Sequence, residues 1–98
     1  MVKCFLTKKA VEDLSDIWLY TYENWSERQA DIYYQLLVNS FEEISIKPNI
    51  GKNYFDILNN LKGLKVGKHI VFYRQVDKKV EVIRILHEKM DLKNRMTE

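Results

Sequence analysis

The sequence predicts an α+β domain in the order β-α-α-β-β-β with a short terminal helix, an antiparallel helix hairpin packed on a small, mainly antiparallel sheet. Three observations carry this prediction. Two consecutive stretches between Ala10 and Ile44 repeat apolar residues every three or four positions. A capping-box string, Ser26-Glu27-Arg28-Gln29, restarts the second stretch so soon after the first that the two helices must fold back on each other. Finally, Lys68 to Asp91, KHIVFYRQVDKKVEVIRILHEKMD, reads as two long strands around a polar break, with the start of a helix behind them.

In chain order, Val2 to Leu6 forms a short first strand, with Cys4 alternating in phase with Val2 and Leu6 and so facing the core. A lone cysteine has no intramolecular disulfide partner. Thr7 stands where an N-cap is needed. The first helix then shows its core stripe at Ala10, Val11, Leu14, Ile17, Trp18, Tyr22 and Trp25. Glu12, Asp13 and Asp16 lie on the other side near its N-terminal end, where carboxylates suit the helix dipole. Leu19 and Tyr20 fall off the stripe and either widen the core contact or form an exposed docking surface. The second helix has its stripe at Ala30, Tyr33, Tyr34, Leu37, Phe41 and Ile44, so Trp18, Tyr33 and Tyr34 read as packing residues.

Pro48 ends the second helix, and Asn49 to Asn60 is a polar connection. Its Gly51-Lys52-Asn53 lacks the earlier glycine and the hydroxyl residue of a phosphate loop, which excludes that form of nucleotide binding. Leu61 to Val66 reads as a short strand leading through Gly67 into the hairpin. The hairpin break, Asp77-Lys78-Lys79, holds no glycine and so predicts a three- or four-residue type I loop. In the last strand Val80, Val82 and Leu86 face one way and Ile83 and Ile85 the other, a strand covered on both sides. Met90, Leu92 and Met96 predict a short amphipathic C-terminal helix.

Arg84 interrupts this apolar strand. A buried guanidinium without a partner costs about 3 to 5 kcal/mol, so Arg84 is either one half of a structural ion pair or the floor of a binding site. Charge divides unevenly along the chain. Up to Leu61 there are 6 Lys/Arg against 9 acids, a net of −3, whereas from Lys62 onward there are 10 against 5, a net of +5. The basic half favours an acidic partner, though it is too weakly charged for a dedicated DNA binder.

With 98 residues, 46% hydrophobic and 31% charged, one domain spanning residues 1–98 is expected. No apolar run is long enough for a membrane span and none at the N-terminus resembles a secretory signal, so a cytoplasmic location is expected. No cofactor is implied, and two histidines and one cysteine do not make a metal site.

Several strings, taken together and in order, resemble a known family: DLSDIWLYTYENWSERQADIYYQLL, the proline-containing connection, HIVFYR and VIRILHEKMD. From Leu14 to about Asp91 the chain resembles the ParE toxins of the RelE/ParE superfamily of bacterial type II toxin-antitoxin modules. The resemblance implies a RelE/ParE-like fold, a toxin that inhibits DNA gyrase by binding it, and a ParD-like antitoxin as stable partner. The candidate partner-binding residues are Lys65, Arg74, Arg84, His87, Leu19 and Tyr20.

The sibling branch of that superfamily, the RelE-like ribonucleases, implies an alternative in which the chain cleaves mRNA on the ribosome. Arg74 and Arg84 would then hold phosphate, Lys65 or Lys68 would assist, and His87 would transfer protons. Against this, Glu88, Lys89 and Met90 follow His87 where ribonuclease members often carry a tyrosine or histidine near the chain end. The balance is toward a noncatalytic toxin, with His87 equally suited to capping the strand-to-helix junction.

Overall fold

The computed structural model describes residues 2–96. Its elements are β1 (Lys3–Leu6), α1 (Lys8–Asn24), α2 (Glu27–Ile46), β2 (Lys52–Asn53), β3 (Lys62–Val66), β4 (His69–Val76), β5 (Lys79–His87) and α3 (Leu92–Met96). The strands form one sheet in the order β1-β5-β4-β3-β2. β1 runs parallel to β5, and every other pairing is antiparallel.

Local rules place the helix starts. Thr7 Oγ1 accepts a hydrogen bond from the Ala10 backbone at 3.1 Å and donates one to the Ile83 carbonyl at 2.8 Å, so a single side chain caps α1 and ties it to β5. Ser26 caps α2 through the Gln29 backbone at 3.0 Å. Only Trp25 and Ser26 separate the helices, and the pair lies across one face of the sheet. Ala10 and Leu14 of α1 and Leu37 and Ile44 of α2 pack there on Val71, Tyr73, Val80, Val82 and Ile85. The opposite face carries a second, smaller core of Leu61, Ile70, Phe72 and Leu86, roofed by Tyr54, Ile57 and the α3 residues Leu92 and Met96. Tyr73 is fully buried; its hydroxyl donates to the Pro48 carbonyl at 2.7 Å and accepts from the Gly51 backbone at 2.9 Å, anchoring the long connection to the sheet.

Four details differ from the sequence reading. First, Phe72 pairs with Arg84 while Tyr73 pairs with Val82, so Ile83 is an extra residue in β5. This bulge inverts the alternation beyond it: Ile85 joins Val80 and Val82 on the helix side, and Leu86 joins Ile83 on the other. Second, Val76 pairs with Lys79, leaving a two-residue turn in which Asp77 takes φ 56°, a left-handed conformation that aspartate tolerates better than most residues. Third, Lys52–Asn53 pairs with Gly63 and Lys62, so the connection contributes a fifth, very short edge strand.

The fourth difference concerns the helices. Val11, Tyr22 and Trp25 on the α1 stripe, and Tyr34 on that of α2, are exposed rather than packed. Trp18 is half-buried and donates its indole N–H to Asp31 at 2.9 Å. Glu12, Asp13 and Asp16 fall beyond the first turn of α1, which holds no acid. None of them therefore caps the dipole in that turn, and Asp13 has a different partner.

Candidate functional site

The residues at issue lie along the β4–β5 ribbon and separate into a built end and an open end. At the built end, the sequence places Arg84 one step past the bulge, where its guanidinium meets α1. Arg84 Nε and Nη2 donate to the two Asp13 carboxylate oxygens at 2.8 and 3.0 Å, a forked pair, and Nη1 donates to the Arg95 carbonyl at 2.9 Å. Asp13 also accepts from the Ile85 backbone at 3.0 Å. Arg84 is only 9% exposed, which makes it the structural ion-pair member rather than an open anion site.

Beside it, His69 and His87 face each other across the last register position of β4 and β5, their rings edge to face with centroids 5.3 Å apart. His87 Nδ1 accepts from the Lys89 backbone at 3.1 Å, so this histidine does cap the strand exit, and its ring proton belongs on Nε2. Tyr33 reaches across from α2. Its hydroxyl accepts from the Lys68 backbone at 3.0 Å and lies 2.6 Å from His69 Nδ1 and 3.3 Å from the Val66 carbonyl. The Val66 carbonyl can only accept, so the single hydroxyl proton goes to it and Nδ1–H of His69 donates to the hydroxyl oxygen, which leaves Nε2 of His69 an acceptor. Burial, followed by the neighbouring His87, lowers the His69 pKa from 6.5 to about 4, so the ring is neutral near pH 7. Burial likewise raises the pKa of the Tyr33 hydroxyl. Gly67, at φ +60° in the β3–β4 turn, admits this arrangement, because a Cβ there would meet the Tyr33 ring at 2.7 Å.

These side chains floor a groove of about 410 Å³ between the α1–α2 turn and the β3–β4 turn, walled by Tyr20 and Trp25 and rimmed by Lys68. Lys65 lies nearby on β3, mostly exposed and 3.0 Å from Glu88. That hydrogen bond holds the Glu88 carboxyl below the usual carboxylate range.

At the open end, Arg74 stands opposite Glu81 at 3.7 Å, both side chains more than a third exposed, and Arg74 Nε is buried without a hydrogen-bond partner. Arg74 is five residues along β4 from His69, about 17 Å at the usual strand rise. The three residues of the nuclease alternative are therefore not brought together: Arg84 is held by Asp13, and Arg74 and His87 lie toward opposite ends of the ribbon. Leu19 and Tyr20 are both exposed on α1 and so do not widen the core contact. Among the described residues, no group of three His, Cys, Asp or Glu side chains gathers as metal ligands, and no helix is long and apolar enough to cross a membrane.

Sequence reasoning missed Asp13, Tyr33, His69 and Trp25 as parts of one region. A signal existed only for Asp13, since a buried arginine demands a carboxylate and Asp13 was among the few on a helix next to the sheet.

The architecture has a counterpart among solved structures. A chain described as the chromosomal ParDE toxin-antitoxin system from P. aeruginosa superposes with a TM-score of 0.78, covering 89% of this chain and 96% of that one at 19% identity. The family model of the ParE toxin of type II toxin-antitoxin systems, parDE, matches residues 5–92. Toxin ParE1 of Caulobacter vibrioides is 36% identical over 86 residues, 88% of each chain. Toxin ParE1 of Mycobacterium tuberculosis is 32% identical over 88 residues, 89% of this chain and 90% of that one. The chain belongs to the ParE toxin family of type II toxin-antitoxin systems.

Proposed function

We propose that this toxin acts in the cytoplasm by binding, that DNA gyrase is its target, and that a ParD-like antitoxin neutralises it. Membership of the ParE family supports the reading, and one structural observation carries it over a ribonuclease: Arg74 and Arg84, the phosphate holders of that alternative, lie apart and are each paired with a carboxylate. A general base, a general acid and phosphate-binding cations must lie within a few ångströms of one reacting group. Here the Arg84 fork is closed on Asp13, Lys65 is on Glu88, and Arg74 is about 17 Å from the histidines. What stays on the surface suits an interface: exposed Leu19 and Tyr20 on α1 and a sheet half with net charge +5. An antitoxin segment with acidic and apolar residues complements both.

Gyrase supercoiling and cleavage-complex assays with the purified toxin test the proposal. Loss of supercoiling with accumulation of cleaved DNA is expected, reversed by the antitoxin. Unchanged gyrase activity removes the target, and site-specific mRNA breaks after brief expression replace the reading with the ribonuclease one.

A further inference from the structure

Trp25 is the most exposed large apolar side chain among the described residues, at 75%, and Tyr20 follows at 65%. Both are next to the helix turn and wall the same groove, whose floor is Tyr33, His69 and His87 and whose rim is Lys68. No carboxylate lines this groove, although the chain holds 14 acidic residues. The nearby acid, Glu88, is engaged by Lys65, while Lys68 forms no ion pair among the described residues. Hydrogen bonding has also sorted the floor. Nδ1 of His87 accepts from the Lys89 backbone, so that ring keeps its Nε2–H as a donor, whereas His69 directs its N–H to the Tyr33 hydroxyl. The groove therefore combines aromatic surface with the His87 N–H donor and one ammonium, and no carboxylate lines it, Glu88 lying beyond the rim close enough to act on Lys68 and His87.

We propose that this groove binds a nucleotide, its base stacked on Trp25 and Tyr20 and its phosphate held by Lys68 and the His87 edge. Base stacking on exposed aromatics is tolerant of base identity, and a phosphate accepts hydrogen bonds from every donor present while requiring none in return. The volume fits one nucleotide unit rather than a long segment of chain. A free nucleotide and the 5′-phosphorylated end of a single strand offer the same chemistry. The groove shares Tyr20 and His87 with the candidate partner surface, but nucleotide binding is measured on the toxin alone, so unchanged gyrase activity would remove the target without removing this site.

The test uses the toxin carrying Trp18→Phe, so that Trp25 is the single tryptophan and its emission can be excited selectively. Adenosine 5′-monophosphate should quench Trp25 saturably, with adenosine and inorganic phosphate each weaker by about tenfold or more. Trp25→Leu, followed by calorimetry, should weaken binding about tenfold, and Lys68→Ala roughly fivefold with a shallower salt dependence. Both side chains are exposed, so unchanged melting temperatures are expected and separate lost binding from lost folding. A short oligoadenylate with a 5′ phosphate binding better than the monophosphate assigns the strand end, and the reverse assigns the free nucleotide. Absence of saturable quenching at millimolar monophosphate, binding indifferent to Lys68→Ala, or tighter binding of an acidic aromatic peptide overturns the proposal.

Discussion

At its turn, the β4–β5 ribbon sets Arg74 against Glu81 at 3.7 Å with both side chains partly in water, whereas near its other end Arg84 grips Asp13 through two bonds of 2.8 and 3.0 Å under the cover of α1. The two arginines sit on neighbouring strands and form ion pairs of the same chemical type, yet their surroundings differ. An exposed pair is screened and contributes little, while a buried one cannot lose a partner without stranding a charge. The turn end can thus change its charge at small cost to the fold, and the base end cannot.

Asp13→Ala should show the largest effect, a destabilisation of about 3 to 5 kcal/mol in urea unfolding, because it strips Arg84 of its fork and the Ile85 backbone of an acceptor. A loss no greater than that of a surface substitution would erase the contrast between the two ends. Next comes Ile85→Ala, expected to cost roughly 2 to 5 kcal/mol, since the side chain is 2% exposed in the helix-side core. An unchanged unfolding midpoint would contradict its placement there by the bulge.

The pH response sharpens the same comparison. His69 has a folded pKa of about 4 against 6.5, so the unfolded chain binds the extra proton between those values. Its contribution to stability is therefore complete above about pH 6.5 and is lost as pH falls toward 4. Glu88, its pKa lowered from 4.5, adds a loss that begins only at lower pH. Thermal melts should decline through the histidine window, and His69→Asn should flatten that decline. The smallest effect belongs to Glu81→Ala, within about 1 kcal/mol by the same unfolding measurement, as befits a half-exposed pair.

How far the sequence reveals this depends on the range of each interaction. Thr7 and Ser26 could be placed because a cap answers to residues three positions away. The need of Arg84 for an anion was equally plain, but its partner lies 71 residues off, and nothing in the local string selects Asp13 over Glu12 or Asp16. The bulge at Ile83 carries no glycine or proline to announce it, so strict alternation put Ile85 and Leu86 on exchanged faces. Periodicity grouped Val11, Tyr22 and Trp25 correctly on a helix flank, but it cannot say whether a neighbouring element extends far enough to cover them. The Tyr33–His69 contact needs both the helix fold-back and the glycine turn before it exists, which is why each residue looked ordinary alone.

The parallel pairing of β1 with β5 joins the earliest strand to be made with the latest. During synthesis, the Thr7 bond to the Ile83 carbonyl and the β1 ladder must wait until β5 has left the ribosome, so the helices can associate well before the sheet closes. A nascent toxin is thereby kept unfinished while most of its length is already exposed. An antitoxin present at that moment would meet an incomplete sheet.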